Sequence, residues 1–429
     1  MNLITYSENI KAMRCLIIAY DVAKYKHNYF TSFKNGNERL ESEGVINSST
    51  TAIKKHLAEI REIAEQHNFN MIRIVCEPTG GYEKKLLNLA RCSGFFTEYV
   101  NGEATSKYKV IETNDSGKND IKDARIIFSL AKQGKTLTCK EQEGLYAHLS
   151  FLNSKYEDVS LDLARVKNYF SSTVDAFFPD LKLTSDQLHS KICRSVIEVY
   201  SLNSHEIAQL KWNTFKNKIT KEYGRKISGS TEALLKKIWD RACSNALEMT
   251  PQWKIDEHKL LIRDYFARMV ELEKKKEAYR CKMTALFNET EECSKLKEAP
   301  ISIFILARIV AETGPLDNFD IQQKLMKYSG LNLKENSSGT YKGRVRISKK
   351  GNSLLRKVLG QIVFTFFSRR GTLYGDYYHE KKAKRGSIYG LTCVMRKVLK
   401  MIFGVYKSKE AFCLERVRSE KSALLQKAS

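Results

Sequence analysis

The stretch Cys15-Leu-Ile-Ile-Ala-Tyr-Asp-Val22 decides the fold of the N-terminal part of the chain. It is a short apolar run rich in β-branched residues, which is typical of a strand buried in a sheet, and it carries Asp21 near its end. A second run, 27–33, predicts a hairpin with the first, and a third strand is expected near 39–45.

The elements that follow alternate between helix and strand patterns. We predict a helix over 49–67, a strand at Met71–Cys76, a turn at Glu77–Tyr82 leading into a helix, a strand at 95–100, and two more helices, the last over 119–133. Strands that alternate with helices indicate an α/β domain, and we expect it to span 14–140.

The middle region, 141–293, has the pattern of long helices that pair through a heptad seam. From Leu145 to Phe177, apolar residues recur in alternating steps of four and three. A second seam follows in the later part of the region and places Lys276 at a core position, where a polar residue fixes register at a cost in stability. We expect a coiled coil, formed by these helices with each other or with a second chain. The segment 181–255 between them is polar and helical in patches.

The third region, 294–407, is predicted to be a mainly α domain built around one loop. Segment 328–351 is so rich in glycine and serine that it predicts a loop. The three tyrosines of the basic stretch 374–385 suit either base stacking or packing. The helices of this region are expected over 301–310, 352–368 and 388–406.

The composition indicates a protein associated with nucleic acid. The chain has 429 residues, with 73 Lys and Arg against 49 Asp and Glu, and a formal net charge of +24 spread along its length. Such a surface meets a polyanion. We expect a cytoplasmic protein without a membrane segment, because no run of about 18 uncharged apolar residues is present. Residues 408–429 form a charged tail.

Several classes of enzyme lack their motifs in this sequence. The ten cysteines include no Cys-x-x-Cys pair, which argues against zinc and redox motifs. Neither a Gly-x-x-x-x-Gly-Lys-Ser/Thr loop nor His-Glu-x-x-His is present, so an ATPase and a zinc protease are not supported.

Four acidic residues form the first candidate site. Asp21 and Glu77 each close an apolar strand, and Asp120 and Asp123 stand three positions apart on one face of a helix. Hard divalent cations prefer oxygen ligands of this kind, and two such ions clamp the oxygens of a phosphoryl transfer. Alternatively, acids in a first helical turn complement the helix dipole and pair with neighbouring cations. Spacing alone leaves both interpretations open.

The glycine and serine loop is the second candidate site. Ser337 and Ser338 precede Gly339 among cations, and a hydroxyl becomes a nucleophile toward phosphate when nearby cations stabilise the charge that forms. Alternatively, the serines are ordinary turn residues of a basic loop that binds nucleic acid. The cations expected to hold a phosphodiester are Lys342, Arg344, Arg346, Lys349 and Lys350.

The chain resembles the DEDD transposases of the IS110 group of insertion sequences. The resemblance covers about residues 14–407 and rests on short blocks that match in order and spacing. The blocks are Ala19–Lys24, Glu77–Tyr82, Lys118–Arg125, Phe177–Pro179, Ala311–Gly314, Tyr328–Leu331, Ser338–Gly339 and Arg346–Asn352 with Leu355–Arg356.

The resemblance implies roles for both candidate sites. It implies a RuvC-like, RNase H-type N-terminal domain in which the four acids bind Mg²⁺, with Mn²⁺ as the alternative ion. It also implies a C-terminal transposase domain whose serine attacks the DNA phosphate. That role falls on Ser338, which directly precedes the glycine, with Ser337 as the alternative. Arg356 joins the loop cations as a nucleic-acid contact.

The resemblance also implies partners. The expected ones are DNA, as element ends and target, and a structured guide RNA from the end of the element. The expected assembly is a homo-oligomer, a dimer or tetramer, in which the coiled coil serves assembly and the active site is composite between protomers.

Three positions depart from the family pattern. Pro300-Ile301-Ser302 replaces a glycine-hydrophobe-glycine hairpin, which removes its backbone freedom for a DNA contact. Ala19 and Asn119 replace a glycine and a threonine beside the acids, and neither change removes a ligand.

The sequence therefore predicts a transposase, a site-specific DNA recombinase that uses divalent metal and a serine nucleophile. Two alternatives stay open. One is a DNA invertase or junction-processing nuclease with the same acids and water as nucleophile. The other is a catalytically inactive protein that binds nucleic acid and serves assembly.

Overall fold

The structure, a computed structural model, describes residues 14–35, 37–113, 120–138, 142–246, 250–334, 337–338, 341–342, 346–367, 369–372 and 374–408. Packing divides the described chain into two compact units. Residues up to 143 and residues 315–407 form the first unit, and residues 144–314 form the second. The chain therefore leaves the first unit and later returns to it. The four domains expected from the sequence are defined differently and stay predictions.

Within its described residues, the first unit contains a six-stranded sheet in the order β3-β2-β1-β4-β5-β6. The strands β1, β2 and β3 are antiparallel neighbours, β4 and β5 run parallel to β1, and β6 is antiparallel to β5. The predicted strands and helices are present, so the α/β prediction for this region is confirmed. The elements are β1 (Cys15–Val22), β2 (Lys26–Asn35), β3 (Glu38–Asn47), α1 (Thr50–Gln66), β4 (Met71–Cys76), α2 (Glu83–Cys92), β5 (Phe96–Tyr99), α3 (Gly102–Thr113), α4 (Asp120–Lys132) and β6 (Leu137–Thr138).

The two faces of this sheet bury separate apolar cores. Even-numbered residues of β1, such as Ile18 and Tyr20, pack with α1 and α2. Odd-numbered residues, such as Ala19, pack with Val75 of β4 and with α4. Because side chains alternate along a strand, the position of a residue in β1 or β4 determines the face on which its side chain lies.

The second unit is built on two long antiparallel helices, α5 (Gly144–Phe177) and α11 (Gln252–Asn288). The ring of Tyr169 stacks on that of Tyr265 at 6.2 Å, and further along α5 the Phe177 ring stacks on His258 at 5.0 Å. The predicted seam helices therefore pair with each other within one chain. Whether they wind as a coiled coil stays a prediction. Lys276 is half-buried, with Nζ 5.2 Å from the centre of the Tyr156 ring.

The segment between the long helices is more ordered than its polar sequence suggested. It contains α6 to α10, and apolar residues such as Phe215, Ile219 and Leu235 are fully buried in a core shared with α5 and α11. The helices are α6 (Ser185–Leu188), α7 (Lys191–Tyr200), α8 (Ser204–Ala208), α9 (Trp212–Tyr223) and α10 (Gly229–Asn245).

The C-terminal elements are mostly helical, as predicted. The glycine and serine segment is not wholly a loop, because β7 pairs with β10 and β8 with β9 in short antiparallel ladders. The elements are α12 (Glu291–Leu296), α13 (Ile303–Thr313), α14 (Gln322–Tyr328), β7 (Leu333–Lys334), β8 (Ser337–Ser338), β9 (Tyr341–Lys342), β10 (Arg346–Ile347), α15 (Ser353–Ile362), α16 (Gly375–Arg385) and α17 (Ser387–Lys407).

The basic stretch predicted at 374–385 forms α16. Tyr374 and Tyr378 are buried, so they pack within the protein instead of offering faces to bases. Tyr377 is half-buried, and the Nζ atom of Lys397 lies 4.0 Å from the centre of its ring. No helix in the described part of the chain combines the length and the apolar character needed to cross a bilayer.

Candidate active site

Asp21 and Glu77 lie at equivalent positions of two neighbouring strands. In the parallel pair β1 and β4, Tyr20 is in register with Cys76, and each is followed by one of the acids. Tyr20 and Cys76 belong to the core on the α1 and α2 face. Alternation therefore places the half-buried Asp21 carboxylate on the opposite face, the one that α4 covers, and the half-buried Glu77 follows β4 by one residue.

Glu77 also lies against the start of α3. A Cβ atom built on Gly102 would overlap the carboxylate and would stand 3.1 Å from its Cδ atom. The absence of a side chain at Gly102 thus leaves the space that Glu77 occupies. A negative charge at a helix N-terminus is favourable, because the backbone N–H groups there have no partners within the helix.

Asp123 lies in the first turns of α4 and is held by a lysine. The Nζ atom of Lys109, on α3, donates to Asp123 Oδ1 at 2.6 Å. Only 14% of the Lys109 side chain and 29% of the Asp123 side chain are exposed. This mostly buried cation offsets part of the negative charge that the candidate acids bring to this face of the sheet.

The fourth acid, Asp120, is the first residue of α4, and its side chain lies outside the described residues. Among the side chains that are described, no three His, Cys, Asp or Glu residues stand close enough to hold one ion. The candidate set nevertheless fits a hard divalent cation in kind, because its donors are carboxylate oxygens and Asp21 and Glu77 directly follow the paired residues Tyr20 and Cys76.

The serine segment, residues 331–348, contains both candidate serines, and around them the structure describes only the backbone of 337–338 and 341–342. Ser338 pairs with Tyr341 in the ladder of β8 and β9, and Ser337 pairs with Lys342. The side chains of these residues, and the whole of Arg344, lie outside the described residues. The structure therefore does not choose between the two serines.

The base of the serine segment is a closely bonded neck, formed by Tyr328–Gly330 and Lys349–Asn352. The Lys349 N–H donates to the Gly330 carbonyl at 3.0 Å, and the Asn352 N–H donates to the Tyr328 carbonyl at 2.8 Å. Gly351 has a φ of 146°, and a Cβ there would overlap the backbone of Tyr328 and Gly330. These contacts hold the two ends of the segment together.

The Arg356 side chain donates hydrogen bonds to this neck. Its Nη1 atom donates to the carbonyl oxygens of Ser329 at 2.9 Å, Gly351 at 3.0 Å and Asn352 at 3.2 Å. Burial lowers the pKa of Arg356 from its usual value. The described hydrogen bonds of the Arg356 side chain therefore all go to backbone carbonyls of the protein. The neighbouring Arg346 and Lys349 side chains, in contrast, are exposed.

An ion pair joins the neck to α3. Lys350 pairs with Glu103, which also accepts from Lys107 at 2.7 Å. Hydrogen bonds from Lys107 and then from Lys350 lower the pKa of Glu103 to about 2. Helix α3 therefore contacts three parts of the candidate site. Gly102 lies against Glu77, Glu103 pairs with Lys350 of the neck, and Lys109 pairs with Asp123.

Two of these residues, Gly102 and Lys109, were not predicted from the sequence. Each sits in an ordinary helical context, one among 22 glycines and the other among many lysines, so no spacing pattern marked them. The only available signal was that the α3 segment follows β5, at the same edge of the sheet as the strand ends that carry Asp21 and Glu77.

Two family profiles match the chain. One, a DEDD transposase profile of the IS110 type, is described as a transposase and matches residues 18–179. The other, described as transposase IS116/IS110/IS902 family, matches residues 294–379. Together the two matches cover more than half of the chain. No curated protein matches it.

The sheet, its acids and these matches define an enzyme of DNA recombination, a transposase. More narrowly, the chain belongs to the IS110 family of insertion-sequence transposases. The resemblance stated from the sequence is confirmed, and the family implies DNA as a partner. A DEDD domain indicates dependence on divalent metal in general.

Proposed function

We propose that this transposase cleaves and rejoins DNA with divalent ions held by Asp21, Glu77, Asp120 and Asp123 and with Ser338 as nucleophile. The observation that carries the proposal is the register of β1 and β4. Asp21 and Glu77 directly follow the paired residues Tyr20 and Cys76 of two neighbouring parallel strands, and the helix that packs on the sheet begins with the other two acids. The strand order, three antiparallel strands followed by parallel ones, supports a RuvC-like, RNase H-type domain.

In the proposed reaction a phosphodiester is exchanged for a serine ester. The Ser338 hydroxyl oxygen forms a bond to phosphorus, the bond to the leaving deoxyribose oxygen breaks, and the hydroxyl proton is passed on to the leaving oxygen. Divalent ions, when bound, stabilise the charge that develops on the phosphoryl oxygens; we favour Mg²⁺. Reversal with a different strand end rejoins the DNA and releases the serine.

The chain's own cations would position the DNA. The exposed Lys349 and Lys350 belong to the neck, and Lys342, Arg344 and the exposed Arg346 belong to the serine segment. Side chains of this kind contact phosphate without reading sequence. The net charge of +24 supports a second polyanion as well, and we propose that it is a structured guide RNA. We also propose that the chain forms a homo-oligomer, a dimer or tetramer, with an active site composed of residues from more than one protomer.

Trapping tests the nucleophile. Element-end DNA incubated with the full chain and Mg²⁺ or Mn²⁺ should give a covalent adduct on denaturing gels, absent in Ser338→Ala and retained in Ser337→Ala. Adduct lost only in Ser337→Ala would assign the role to the neighbour. Cleavage without any adduct would instead support water as the nucleophile.

A substitution in the acid set tests the metal site separately. Asp120→Asn should abolish both cleavage and adduct formation while DNA binding persists, because the carboxylate serves chemistry and the basic surface serves affinity. If Asp120→Asn recombines DNA like the wild type, the proposed metal set is wrong. If the wild-type chain binds DNA and never cleaves it, the chain serves assembly alone.

A further inference from the structure

Helices α16 and α17 form a hairpin with a sharp tip. α16 ends at Arg385, α17 begins at Ser387, and Gly386 alone connects them. Gly386 has a φ of 90° and a ψ of 171°, a combination that residues with a Cβ rarely adopt. The chain therefore reverses within one residue.

The hairpin is also closely packed behind its tip. Gly390 of α17 is buried, and a Cβ there would stand 3.0 Å from the carbonyl oxygen of Tyr378 and 3.1 Å from the nitrogen of Lys382. α17 thus crosses directly on the backbone of α16, and Tyr378 is buried at the crossing. Contact at the backbone level gives the tip a fixed shape.

An apolar side chain projects from this tip. Ile388 is 81% exposed, the highest value among the exposed large apolar side chains of the described residues. It is the second residue of α17, beside the turn. Single exposed apolar residues are common on protein surfaces, so the surroundings of Ile388 must decide its meaning.

Those surroundings are strongly basic. Between 380 and 389 the sequence has four cations, Lys381, Lys382, Lys384 and Arg385, against the single carboxylate of Glu380. Glu380 accepts from Lys381 at 2.9 Å and from Lys384 at 3.1 Å, so its single charge offsets part of theirs. Lys382 and Arg385 are exposed, and the Arg385 guanidinium lies 5.4 Å from the centre of the Tyr389 ring, which holds it beside the tip.

Helix stability explains only part of this arrangement. Cations in the last turn of α16 complement its dipole, which accounts for the basic residues. Helix stability does not account for the exposed, β-branched side chain of Ile388 in the first turn of α17. An apolar tip flanked by cations is the form of side-chain wedge that DNA-bending proteins insert between base pairs, while Lys and Arg contact the phosphates.

We propose that the α16–α17 tip is a wedge for duplex DNA. Ile388 would insert at a base step and partly unstack it, and Lys382 and Arg385 would contact the phosphates on either side. This inference rests on the proposed function, which makes DNA the substrate, and it adds a contact that deforms the DNA. Flexible pyrimidine–purine steps are the expected points of entry, since they unstack most easily.

Base unstacking is the direct test. The full chain is added to a short duplex that carries 2-aminopurine next to its TA steps, whose fluorescence rises on unstacking. The wild type should raise the signal, and Ile388→Ala should lose most of that rise, whereas Leu260→Ala, which removes another exposed aliphatic side chain from a helix, should behave like the wild type. An equal rise with Ile388→Ala would overturn the wedge. A rise with duplex RNA alone would overturn the assignment to DNA.

The phosphate contacts have a separate test. Replacing Lys382 and Arg385 together by Gln should lower the slope of log affinity against log salt by about 2, at about 0.9 for each lost phosphate contact. Ile388→Ala should leave that slope unchanged. An unchanged slope in the double variant would overturn the cationic half of the proposal.

The failure of this proposal is distinguishable from that of the proposed function. A chain that forms the serine adduct, with Ile388→Ala still unstacking DNA, would refute the wedge alone. A chain that binds no DNA would refute both. A change of oligomeric state in Ile388→Ala, measured by light scattering, would show that the tip contacts a second copy instead.

Discussion

At the scale of single residues, the candidate site depends on two positions that carry no chemistry themselves. Gly102 leaves room for the Glu77 carboxylate, and Lys109 holds the carboxylate of Asp123. Both belong to α3, where the position of the helix after β5 was the one available signal of a site. The sequence pattern did predict that Asp21 and Glu77 stand at strand ends and that Asp120 and Asp123 stand in the first turns of a helix, and their role as metal ligands stays a prediction.

Lys109→Met should change how the protein responds to divalent ions. The variant keeps most of the apolar stem and removes the charge, so without metal it should lose about 1–2 kcal/mol of unfolding free energy. Added Mn²⁺ should then raise its melting temperature more than that of the wild type, because a competing cation is gone. Thermal unfolding with and without Mn²⁺ measures this.

The control for that variant is Lys107→Met, on the same helix, since Lys107 is 72% exposed and pairs with Glu103. It should respond to Mn²⁺ like the wild type. Equal responses in all three proteins would mean that Lys109 has no influence on the metal site.

Gly102→Ala should reduce DNA cleavage much more than stability. The new methyl group would displace the Glu77 carboxylate, and a shift of about 1 Å at a catalytic group can cost about 100-fold in rate. Alanine is a better helix former than glycine, so unfolding free energy should change by less than about 1 kcal/mol. Cleavage rates and thermal unfolding together test this.

Gly404→Ala is the matched control, because a Cβ built on Gly404 of α17 meets no heavy atom within 4 Å. It should cleave DNA like the wild type. If Gly102→Ala also cleaves at the wild-type rate, Gly102 does not position Glu77.

At the scale of elements, hydrophobic pattern predicted which segments form helices and strands but not which of them pack together. The seams of α5 and α11 suited a partner in the same chain or in a second one, and only the structure pairs them with each other. The core of the polar segment between them was harder to predict, because α9 and α10 each bury only a few residues, such as Phe215 and Leu235, among many charged ones. The ladders within 333–347 were missed because glycine and serine favour turns.

The contact of α13 with α5 depends on a buried guanidinium. Arg308 is 2% exposed, its Nε atom donates to Asn153 Oδ1 at 3.1 Å, and Nη2 pairs with Glu157. Burial lowers the pKa of Arg308, and the charge of Glu157 counters that effect. Arg308→Met should cost about 3–5 kcal/mol of unfolding free energy, because it leaves the Glu157 carboxylate buried without its cation. Denaturant unfolding measures the loss.

Two further variants make that prediction specific. Arg308→Met combined with Glu157→Leu should recover much of the loss, since no unpaired charge remains. Arg280→Met should cost within about 0.5 kcal/mol, because Arg280 and its partner Glu277 are both more than half exposed. A small loss in Arg308→Met alone would contradict the argument.

For the molecule as a whole, buried and half-buried histidines make stability depend on pH. Burial lowers the pKa of His27, His56, His189 and His258 below the ordinary value. The unfolded chain therefore binds protons at about pH 6.5, where the folded chain still resists them. The contribution of these histidines to stability is fully present above that pH and is lost as pH falls below it. Acid also raises the net positive charge, which adds self-repulsion.

His27→Gln should make this loss smaller. His27 is 1% exposed on β2, and this burial is the main reason for its lowered pKa. A backbone contact at Lys26 raises the pKa in part, and the charge of Lys85 lowers it. Between pH 7 and pH 5 the variant should lose less unfolding free energy than the wild type, with a difference of up to about 1.4 kcal/mol for each pKa unit of the shift. Exposed His148→Gln should not alter the slope, and equal slopes in all three proteins would contradict the prediction.

The return of the chain to its first unit has a consequence for synthesis. The cores on both faces of the sheet use only residues up to 137, so they can form early, whereas the serine segment is made after the 171 residues of 144–314. At about 5–20 residues per second this is a delay of roughly 10–30 s on the ribosome. Under the proposed roles, a nascent or truncated chain holds the acids without the nucleophile. Such a chain cannot break DNA with its own residues alone until its serine segment has been made.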